Sequence, residues 1–274
     1  MKKTTGIFDT CERARFHRGM RNLFTAMFIG LTLVSADAAW DPGAWTELGV
    51  LPAGAVVWQR TVTGPDGAVR VAGVNFSASK ATFRLVDNPP EARGNFPEIL
   101  AQTGAIAGIN GGYFHPDYRP LGLAVSEGRE IHGFERAKLL SGVLAVRGNR
   151  IELVRSGAFV AGKGLADALQ AGPWLVEHGA PIAGLNAERK ARRSLVATDG
   201  KGNWAIIATG PLTLAETGAV MALKNLSGAW SVRDALNLDG GSSTALWAGL
   251  PAKAFEIFSF GTVRNYLAIV PRQK

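Results

Sequence analysis

The stretch Ala235 to Leu246, ALNLDGGSSTAL, combines an apolar run with one carboxylate, two glycines and three hydroxyls. An apolar strand that ends on such a loop holds Asp239 at the strand end, where a carboxylate acts as a base or stabilises positive charge. Gly240 and Gly241 allow backbone angles that a side chain would forbid. The same pattern also fits an Asx turn, in which the carboxylate bonds only its own backbone. Partners elsewhere in the chain decide between these two interpretations.

A second apolar strand, AIAGINGGYF at residues 105–114, ends with the same kinds of residue. Asn110 is followed by Gly111 and Gly112, and consecutive glycines expose backbone N–H groups that cradle an anionic oxygen. Tyr113 offers an aromatic face that suits the wall of a sugar site. An ordinary turn with core aromatic residues gives the same pattern, so this loop predicts a ligand site only in combination with the first one.

Arginines precede two further predicted strands. The run RKARRS at residues 189–194 leads into a strand at 195–198, and Arg264 precedes the closing strand of the chain. An arginine placed immediately before a strand that leads inward is able to hold phosphate through two hydrogen bonds. Arg193 is the stronger candidate and Arg192 the next, although a run of charges also fits a solvated surface.

Several familiar catalytic patterns are missing from the sequence. It contains no H-x-x-x-H, H-E-x-x-H or cysteine cluster, which argues against a zinc site. It also contains no G-x-S-x-G motif, which disfavours Ser242 and Ser243 as nucleophiles. No cofactor is indicated, but a divalent cation such as calcium stays open, because Asp239 and the hydroxyls and carbonyls of its loop are suitable ligands.

Short strands separated by turn residues dominate the predicted elements. Four hairpins are predicted, at 56–62 with 69–76, 121–126 with 129–132, 143–147 with 150–154, and 195–198 with 204–208. Helices are predicted at 96–102, from a capping box at Thr213 to about Leu226, and, as a short one, at 165–170. This pattern predicts an α+β fold, with a mixed, largely antiparallel sheet built from hairpins and a few helices packed on it.

The N-terminus has the features of a secretory signal peptide. Leu23 to Val34 is an apolar run that follows three arginines, and Ala36-Asp37-Ala38 supplies an A-x-A cleavage pattern. This run is shorter than the roughly 20 residues that cross a bilayer. We therefore predict a signal peptide at residues 1–38, cleavage after Ala38 and a periplasmic or secreted location without a stable membrane span. An uncleaved anchor is the alternative.

The mature chain, residues 39–274, is predicted to be one domain, since 274 residues with 47% apolar content suit a single large core. The only cysteine, Cys11, lies in the signal, so the mature chain has no disulfide, as in many bacterial exported proteins. Translation starts at Met1 or at Met20, and the residues leave both open.

The mature chain is mildly basic. Outside residues 1–38 it has 24 Lys and Arg against 19 Asp and Glu, a net charge of +5. No basic block is longer than the one at 189–193, so nucleic acid is not an expected partner. Anionic envelope polymers and phosphate-bearing substrates both fit this charge.

Six motifs, in their order along the chain, resemble the phosphodiester glycosidase family. They are GINGGYF at 108–114, RPLGLAVSEG at 119–128, QAGPWLV at 170–176, RRS at 192–194, ALNLDGGSSTAL at 235–246 and VRNYLAIVP at 263–271. The resemblance covers roughly residues 100–271. It implies an exported hydrolase that cleaves the sugar C1–O–phosphate bond of a sugar-1-phosphodiester or phosphate-linked glycan.

The resemblance also implies roles for particular residues. Asp239 would act as a base for water or stabilise charge, Asn110 would orient sugar or water, and Arg193 would hold phosphate. Substrate contacts are implied for Gly111, Gly112, Gly240, Gly241, Ser242, Ser194, Arg264 and Tyr113. The sequence departs from the family pattern at Ser242, where a third glycine is common, and at Ser194, where threonine is common.

Two other functions remain open at this point. The same residues would also serve a protein that binds envelope polysaccharide or another anionic polymer without turnover. A structural factor in exopolysaccharide assembly would depend on the basic surface rather than on Asp239. An enzyme is favoured, because a binding protein has less need of a lone carboxylate on a glycine-rich loop.

Overall fold

A computed structural model of the protein describes residues 40–91 and 95–273. These residues form eighteen β-strands and two α-helices. In chain order the elements are β1 Trp45–Val50, β2 Val56–Gly64, β3 Gly67–Ser77, β4 Ala81–Asp87, α1 Phe96–Gln102, β5 Ala107–Asn110, β6 Ala124–Ser126, β7 Arg129–His132, β8 Gly142–Arg147, β9 Arg150–Arg155, β10 Leu165–Ala171, β11 Trp174–Glu177, β12 Ala180–Pro181, β13 Ala191–Thr198, β14 Asn203–Leu212, α2 Leu214–Met221, β15 Asp234–Asn237, β16 Leu246–Ala248, β17 Phe255–Ile257 and β18 Asn265–Pro271.

The strands are arranged in three sheets. The largest has eight strands in the order β1-β2-β3-β14-β13-β15-β11-β12, and we call it the main sheet. The second sheet has the order β7-β6-β10-β8-β9, and the third has the order β17-β16-β5-β18-β4. Every ladder within these sheets is antiparallel. The chain therefore moves repeatedly between sheets, and its strand ends meet where the sheets adjoin.

All four predicted hairpins are confirmed, as the pairs β2–β3, β6–β7, β8–β9 and β13–β14. Their turns contain the glycines that such turns require. In the β8–β9 hairpin, for example, Gly148 has a φ of 53°, a backbone angle that residues with a Cβ rarely adopt. Local turn chemistry thus determines these pairings.

The α+β prediction fits this architecture only loosely, because the described chain is mostly β and carries two helices. The single sheet that was predicted is instead three antiparallel sheets. The helix predicted at 165–170 is wrong, since these residues lie in β10, a central strand between β6 and β8. Pairing on both edges outweighs the helix propensity of its leucines and alanines. The helix after Thr213 has the predicted capping box but ends at Met221 rather than near Leu226.

The apolar core lies where the three sheets face one another. Phe83 of the third sheet, Leu144 of the second and Val196 of the main sheet belong to one buried cluster. Because strand side chains alternate between faces, Leu195 points to the other side of the main sheet and packs in a second cluster with Met221 of α2. The main sheet is thus buried on both faces around the residues that lead to the Asp239 loop.

The predicted signal peptide at 1–38, with its cleavage after Ala38, lies outside the described residues and stays a prediction. In the part of the chain that the structure describes, none of the helices has the length and apolar character needed to cross a membrane.

Candidate active site

A cleft of about 320 Å³ opens where strand ends of the main sheet meet the loop after β5. Its described lining consists of Tyr113, Leu139, Pro173, Asn186, Arg189, Ala191, Arg193, Leu214, Asn237, Asp239, Gly240 and Gly241. Five of the residues predicted from the sequence are among them, and Asp239 is the one carboxylate in this described lining. The cleft therefore combines a single acid with two arginines, a phenol and two amides.

Asp239 follows directly after β15 and is largely buried. Its main-chain N–H donates to the Gly111 carbonyl over 3.0 Å, and its Oδ1 accepts the Gly240 N–H over 2.8 Å. Burial raises the pKa of the Asp239 carboxyl, while hydrogen bonds from the Ser243 hydroxyl and the Gly240 amide act in the opposite direction. A carboxylate with a raised pKa is a stronger base than a solvated one. Asp239 is thus a largely buried carboxyl with a raised pKa in the lining of a cleft.

Arg193 lies in β13 at the same cleft. Its Nε donates to the Leu212 carbonyl over 2.8 Å, and one Nη donates to the Arg189 carbonyl over 2.7 Å. No carboxylate of the described chain lies within ion-pair distance of Arg193 or of Arg189, which is exposed. Two cations without a carboxylate partner therefore face the space beside Asp239. Sequence reasoning missed Arg189, although it begins the same basic run.

Tyr113 and Asn237 form a polar wall of the cleft. The Tyr113 hydroxyl donates to the Gly172 carbonyl over 2.6 Å and accepts from the Asn237 amide over 2.8 Å. Burial, together with the nearby Asp239 carboxylate, raises the pKa of the Tyr113 hydroxyl above its ordinary range. Asn237 was missed from the sequence, although it lies two residues before Asp239, a spacing that places side chains on the same face of a strand.

Asn110 lies beneath the cleft and not in its wall. Its side chain is completely buried and donates to the Asp239 carbonyl over 2.8 Å, while its Oδ1 accepts from the Ser194 hydroxyl over 2.6 Å and from the Ala245 N–H over 3.0 Å. The predicted contacts of Asn110 and Ser194 with sugar, water or substrate gain no support from this geometry, because both side chains have no exposed surface. They position the Asp239 loop instead.

Gly111 and Gly112 are also internal. The Gly111 N–H donates to the Asn265 carbonyl over 2.8 Å, and the Gly112 N–H donates to the Asn265 Oδ1 over 2.8 Å. These two amides are thus used within the fold, and the prediction that they bind substrate gains no support from this geometry. A Cβ on Gly111 would lie 2.0 Å from the Asn265 Oδ1, so this glycine permits a close approach between strands.

Gly240 and Gly241 do line the cleft. A Cβ on Gly240 would lie 2.8 Å from the Arg192 carbonyl oxygen, whereas a Cβ on Gly241 would meet open space. Gly241 adopts a φ of 65° and begins a 3₁₀ turn, Gly241–Ser243. Ser242 is exposed but outside the described cleft lining, so its predicted substrate contact is not part of this geometry.

Arg192 holds the far side of this loop. Its guanidinium donates to the carbonyls of Gly241, Thr244 and Phe258, and it lies 4.4 Å from the centre of the Phe260 ring. Burial lowers the pKa of this guanidinium. Arg192 thus binds main-chain carbonyls of the segment after Asp239, and its guanidinium is not free to bind phosphate.

Arg264 lies outside the cleft. It is almost fully buried and forms an ion pair with Asp87 on the neighbouring strand of the third sheet. Its predicted role as a second cation for substrate gains no support from this geometry, because its charge is already paired with Asp87 within the fold. Arg189 takes the place of the second cation at the cleft.

The described residues contain no group of three or more His, Cys, Asp or Glu side chains that would hold a metal ion. Asp239 is the one carboxylate in the described cleft lining that could ligate a hard cation, beside the amide oxygens of Asn186 and Asn237 and the loop carbonyls and hydroxyls.

Comparison with known proteins gives a family match and two useful structural neighbours. The sequence profile of the phosphodiester glycosidase family matches residues 103–270. No curated protein sequence matches the chain significantly. The catalytic domain of zebrafish N-acetylglucosamine-1-phosphodiester alpha-N-acetylglucosaminidase, auto-inhibited by its pro-peptide, has a TM-score of 0.57 and 14% identity, over 85% of this chain and 89% of that one.

A hypothetical protein from Synechocystis has a TM-score of 0.54 and 19% identity, over 80% of this chain. The match covers 62% of the Synechocystis chain, so this protein spans less than two thirds of that relative. At such identities the two neighbours establish a shared fold. The match of the family profile covers the strands and loops that build the cleft.

Proposed function

Because this chain belongs to the phosphodiester glycosidase family, we propose that it is an exported hydrolase that cleaves the C1–O bond of a sugar-1-phosphodiester. The observation that carries the proposal is the composition of the cleft, in which one carboxylate with a raised pKa faces two arginines without carboxylate partners. Export rests on the signal-peptide features of residues 1–38.

The chemistry of glycoside hydrolysis explains why one carboxylate is required. The bond between C1 and the leaving oxygen breaks through an oxocarbenium-like state, which a nearby negative charge stabilises. Asp239 is suited to accept a proton from water as the water oxygen forms its bond to C1, or to stabilise the positive ring. Its raised pKa favours the first of these roles.

The leaving group explains why a second carboxylic acid is dispensable. The phosphate oxygen departs with the electron pair of the broken bond as part of a phosphate monoester, which is much less basic than an alcohol. Arg193 and Arg189 supply positive charge and N–H donors to that oxygen and its neighbours. The cations thus do the work that a general acid does in ordinary glycosidases.

The polar wall of the cleft supports a sugar-sized ligand. Tyr113 and Asn237 are fixed by their mutual hydrogen bond, so the wall is preorganised. The zebrafish relative acts, by its name, on N-acetylglucosamine-1-phosphodiesters. We propose the broader class of sugar-1-phosphodiesters for this chain, with envelope or extracellular glycans as their source.

The direct test is a panel of sugar-1-phosphodiesters incubated with the purified chain, with free reducing sugar as the readout. We expect sugar release from at least one compound, and loss of that release in the Asp239→Asn variant. Parallel reactions with EDTA and added calcium determine whether a divalent cation takes part. Saturable binding without sugar release from any compound would contradict the hydrolase and favour a noncatalytic polysaccharide-binding protein.

A further inference from the structure

A second and larger depression, of about 630 Å³, lies beside the catalytic cleft. It is formed by two segments that flank β8 and β9, at 134–140 and 156–161. None of its described lining residues belongs to the cleft. The proposed hydrolysis therefore leaves this depression without a function.

The floor of the depression is held by a buried glutamine. Gln170 has no exposed surface; its Nε2 donates to the Glu135 carbonyl over 2.7 Å, and its Oε1 accepts the Glu135 N–H over 3.1 Å. Ser156 donates to the Leu140 carbonyl over 2.5 Å and so ties the two segments together. These hydrogen bonds therefore hold the two segments, and with them the shape of the depression, in place.

Two aromatic rings form one wall. Phe134 and Phe159 stack with their planes at 10° and their centres 6.0 Å apart, and Phe134 is 39% exposed. The Arg147 guanidinium lies 5.6 Å from the Phe159 ring centre. Flat aromatic faces beside a groove are suited to the apolar faces of sugar rings.

The rim of the depression is positively charged. Arg136 and Lys138 are exposed, and neither side chain has a hydrogen-bond or ion-pair partner within residues 40–91 and 95–273. The one acidic residue in the described lining, Glu135, turns its carboxylate inward, where it accepts the Gly122 N–H over 3.2 Å and lies 3.5 Å from His132. Free positive charge above an aromatic wall is complementary to an anionic glycan.

The depression and the cleft are both lined by the segment 138–140. Leu139 lines the cleft, whereas its two neighbours, Lys138 and Leu140, line the depression. Gly172 packs closely against this segment, since a Cβ on Gly172 would lie 2.0 Å from the Leu139 carbonyl oxygen. The two cavities therefore adjoin at Leu139, which places the basic rim beside the cleft.

We infer that the depression is a glycan subsite, which binds an anionic portion of the substrate next to the linkage that is cleaved. Arg136 and Lys138 contact carboxylate or phosphate groups of the chain, and Phe134 packs against one of its sugar rings. The inference rests on the proposed function for the identity of the neighbouring site. The binding of the glycan itself does not depend on hydrolysis, because no residue of the depression touches the reacting bond.

The test compares binding of three oligosaccharide probes to the purified full chain. They are hexagalacturonate, an oligomer of glycosyl-1-phosphate units and the neutral cellohexaose, with the phosphate oligomer measured in the Asp239→Asn background to prevent turnover. We expect the anionic probes to bind more tightly than cellohexaose, and the two anionic arms identify carboxylate or phosphate as the preferred group. The Arg136→Ala/Lys138→Ala variant should lose roughly fivefold or more of that affinity.

The matched control is Lys224→Ala/Lys253→Ala, which removes the same number of exposed charges away from both described cavities. Phe134→Ala provides an independent variant, because it should weaken binding without a change in charge. Equal affinity of the Arg136→Ala/Lys138→Ala variant and the control for both anionic probes would overturn the subsite. Equal affinity of the unaltered chain for the anionic probes and cellohexaose would overturn it as well. A chain that binds anionic probes but releases no sugar from any phosphodiester would refute the hydrolase and leave the subsite standing.

Discussion

The Gly240-Gly241 loop and the Gly111-Gly112 loop have similar sequences, yet their surroundings differ. Each follows a buried strand and a polar residue, Asp239 in one and Asn110 in the other. The first pair of glycines lines the cleft. The second pair is enclosed by the third sheet.

This difference follows from sheet topology. After β5 the chain runs beside β18, so Asn265 accepts the N–H groups of Gly111 and Gly112. After β15 the chain leaves the main sheet for β16 in the third sheet, and Gly240, Gly241 and Ser242 in the turn between them are partly or fully exposed. The amides of a glycine pair at a strand end are therefore available to a ligand only where no neighbouring strand uses them. In the proposed mechanism the open loop carries the reacting carboxylate, and the closed loop supports its position.

The largest expected effect is on the open loop. Asp239→Asn removes the charge with little change in shape, and we expect kcat to fall by about 10³-fold, since positioned acid–base groups contribute about 10² to 10⁴. Steady-state kinetics on the best phosphodiester from the panel measures the effect. Circular dichroism should confirm an unchanged fold. Full activity in a folded variant would contradict a catalytic role for Asp239 and its loop.

The next effect is on the closed loop. Asn110→Ala leaves the Ser194 hydroxyl, the Ala245 N–H and the Asp239 carbonyl without their partner, so the free energy of unfolding should fall by about 3 kcal/mol. Urea denaturation measures this loss. In the molecules that remain folded, kcat should fall while KM changes little, because Asn110 has no exposed surface. A raised KM at constant kcat would instead indicate a direct substrate contact.

Matched glycine substitutions compare the two loops directly. Gly111→Ala places a methyl group 2.0 Å from the Asn265 Oδ1, and such overpacking costs about 3 kcal/mol. In Gly241→Ala the added methyl group meets open space. The substitution should therefore lower the free energy of unfolding by only about 1 kcal/mol, because alanine rarely adopts a φ of 65°. Gly111→Ala should therefore lower the denaturation midpoint of the chain more than Gly241→Ala does. The reverse order would remove the distinction between the loops.

The smallest expected effect is a pH dependence of stability. Burial raises the pKa of Asp239 in the folded chain, so the folded chain binds more protons than the unfolded one between the ordinary carboxyl pKa of about 3.9 and the raised value. Stability from this group is complete below the ordinary pKa and is lost as pH rises through the raised pKa. We expect Asp239→Asn to melt at a higher temperature than the parent chain at pH 7, with the difference vanishing near pH 3. A lower melting temperature at pH 7 would contradict a destabilised carboxylate.

Much of the fold was accessible from the sequence because its hairpins are local. The β8–β9 pairing, for example, depends on a glycine turn and on strands that adjoin it in the chain. The sequence did not predict the strand β10, because its residues favour a helix. Only their pairing with the distant strands β6 and β8 makes them extended. The division into three sheets depends on the same long-range pairings, which leave no local pattern.

The sequence also predicted part of the candidate site. The sequence placed Asp239 and Arg193 at strand ends, and both line the cleft. It did not distinguish open from closed loops, because the partner of Gly111 and Gly112 lies over 150 residues away, at Asn265. Arg264 resembled Arg193 in its place before a strand, but only the fold reveals its ion pair with Asp87.

The hydrogen bonds of Asn110 have a consequence for how the protein folds and exchanges its amides. They join residues separated by 84, 129 and 135 positions and connect the third sheet to the main sheet. Contacts of such long range close slowly and form once both sheets are in place. A partly folded chain that lacks either sheet therefore lacks these bonds. The hydrogen-bonded amides of Asp239 and Ala245 should exchange with solvent only through unfolding that separates the two sheets, unlike the amide of Gly241 in the open turn.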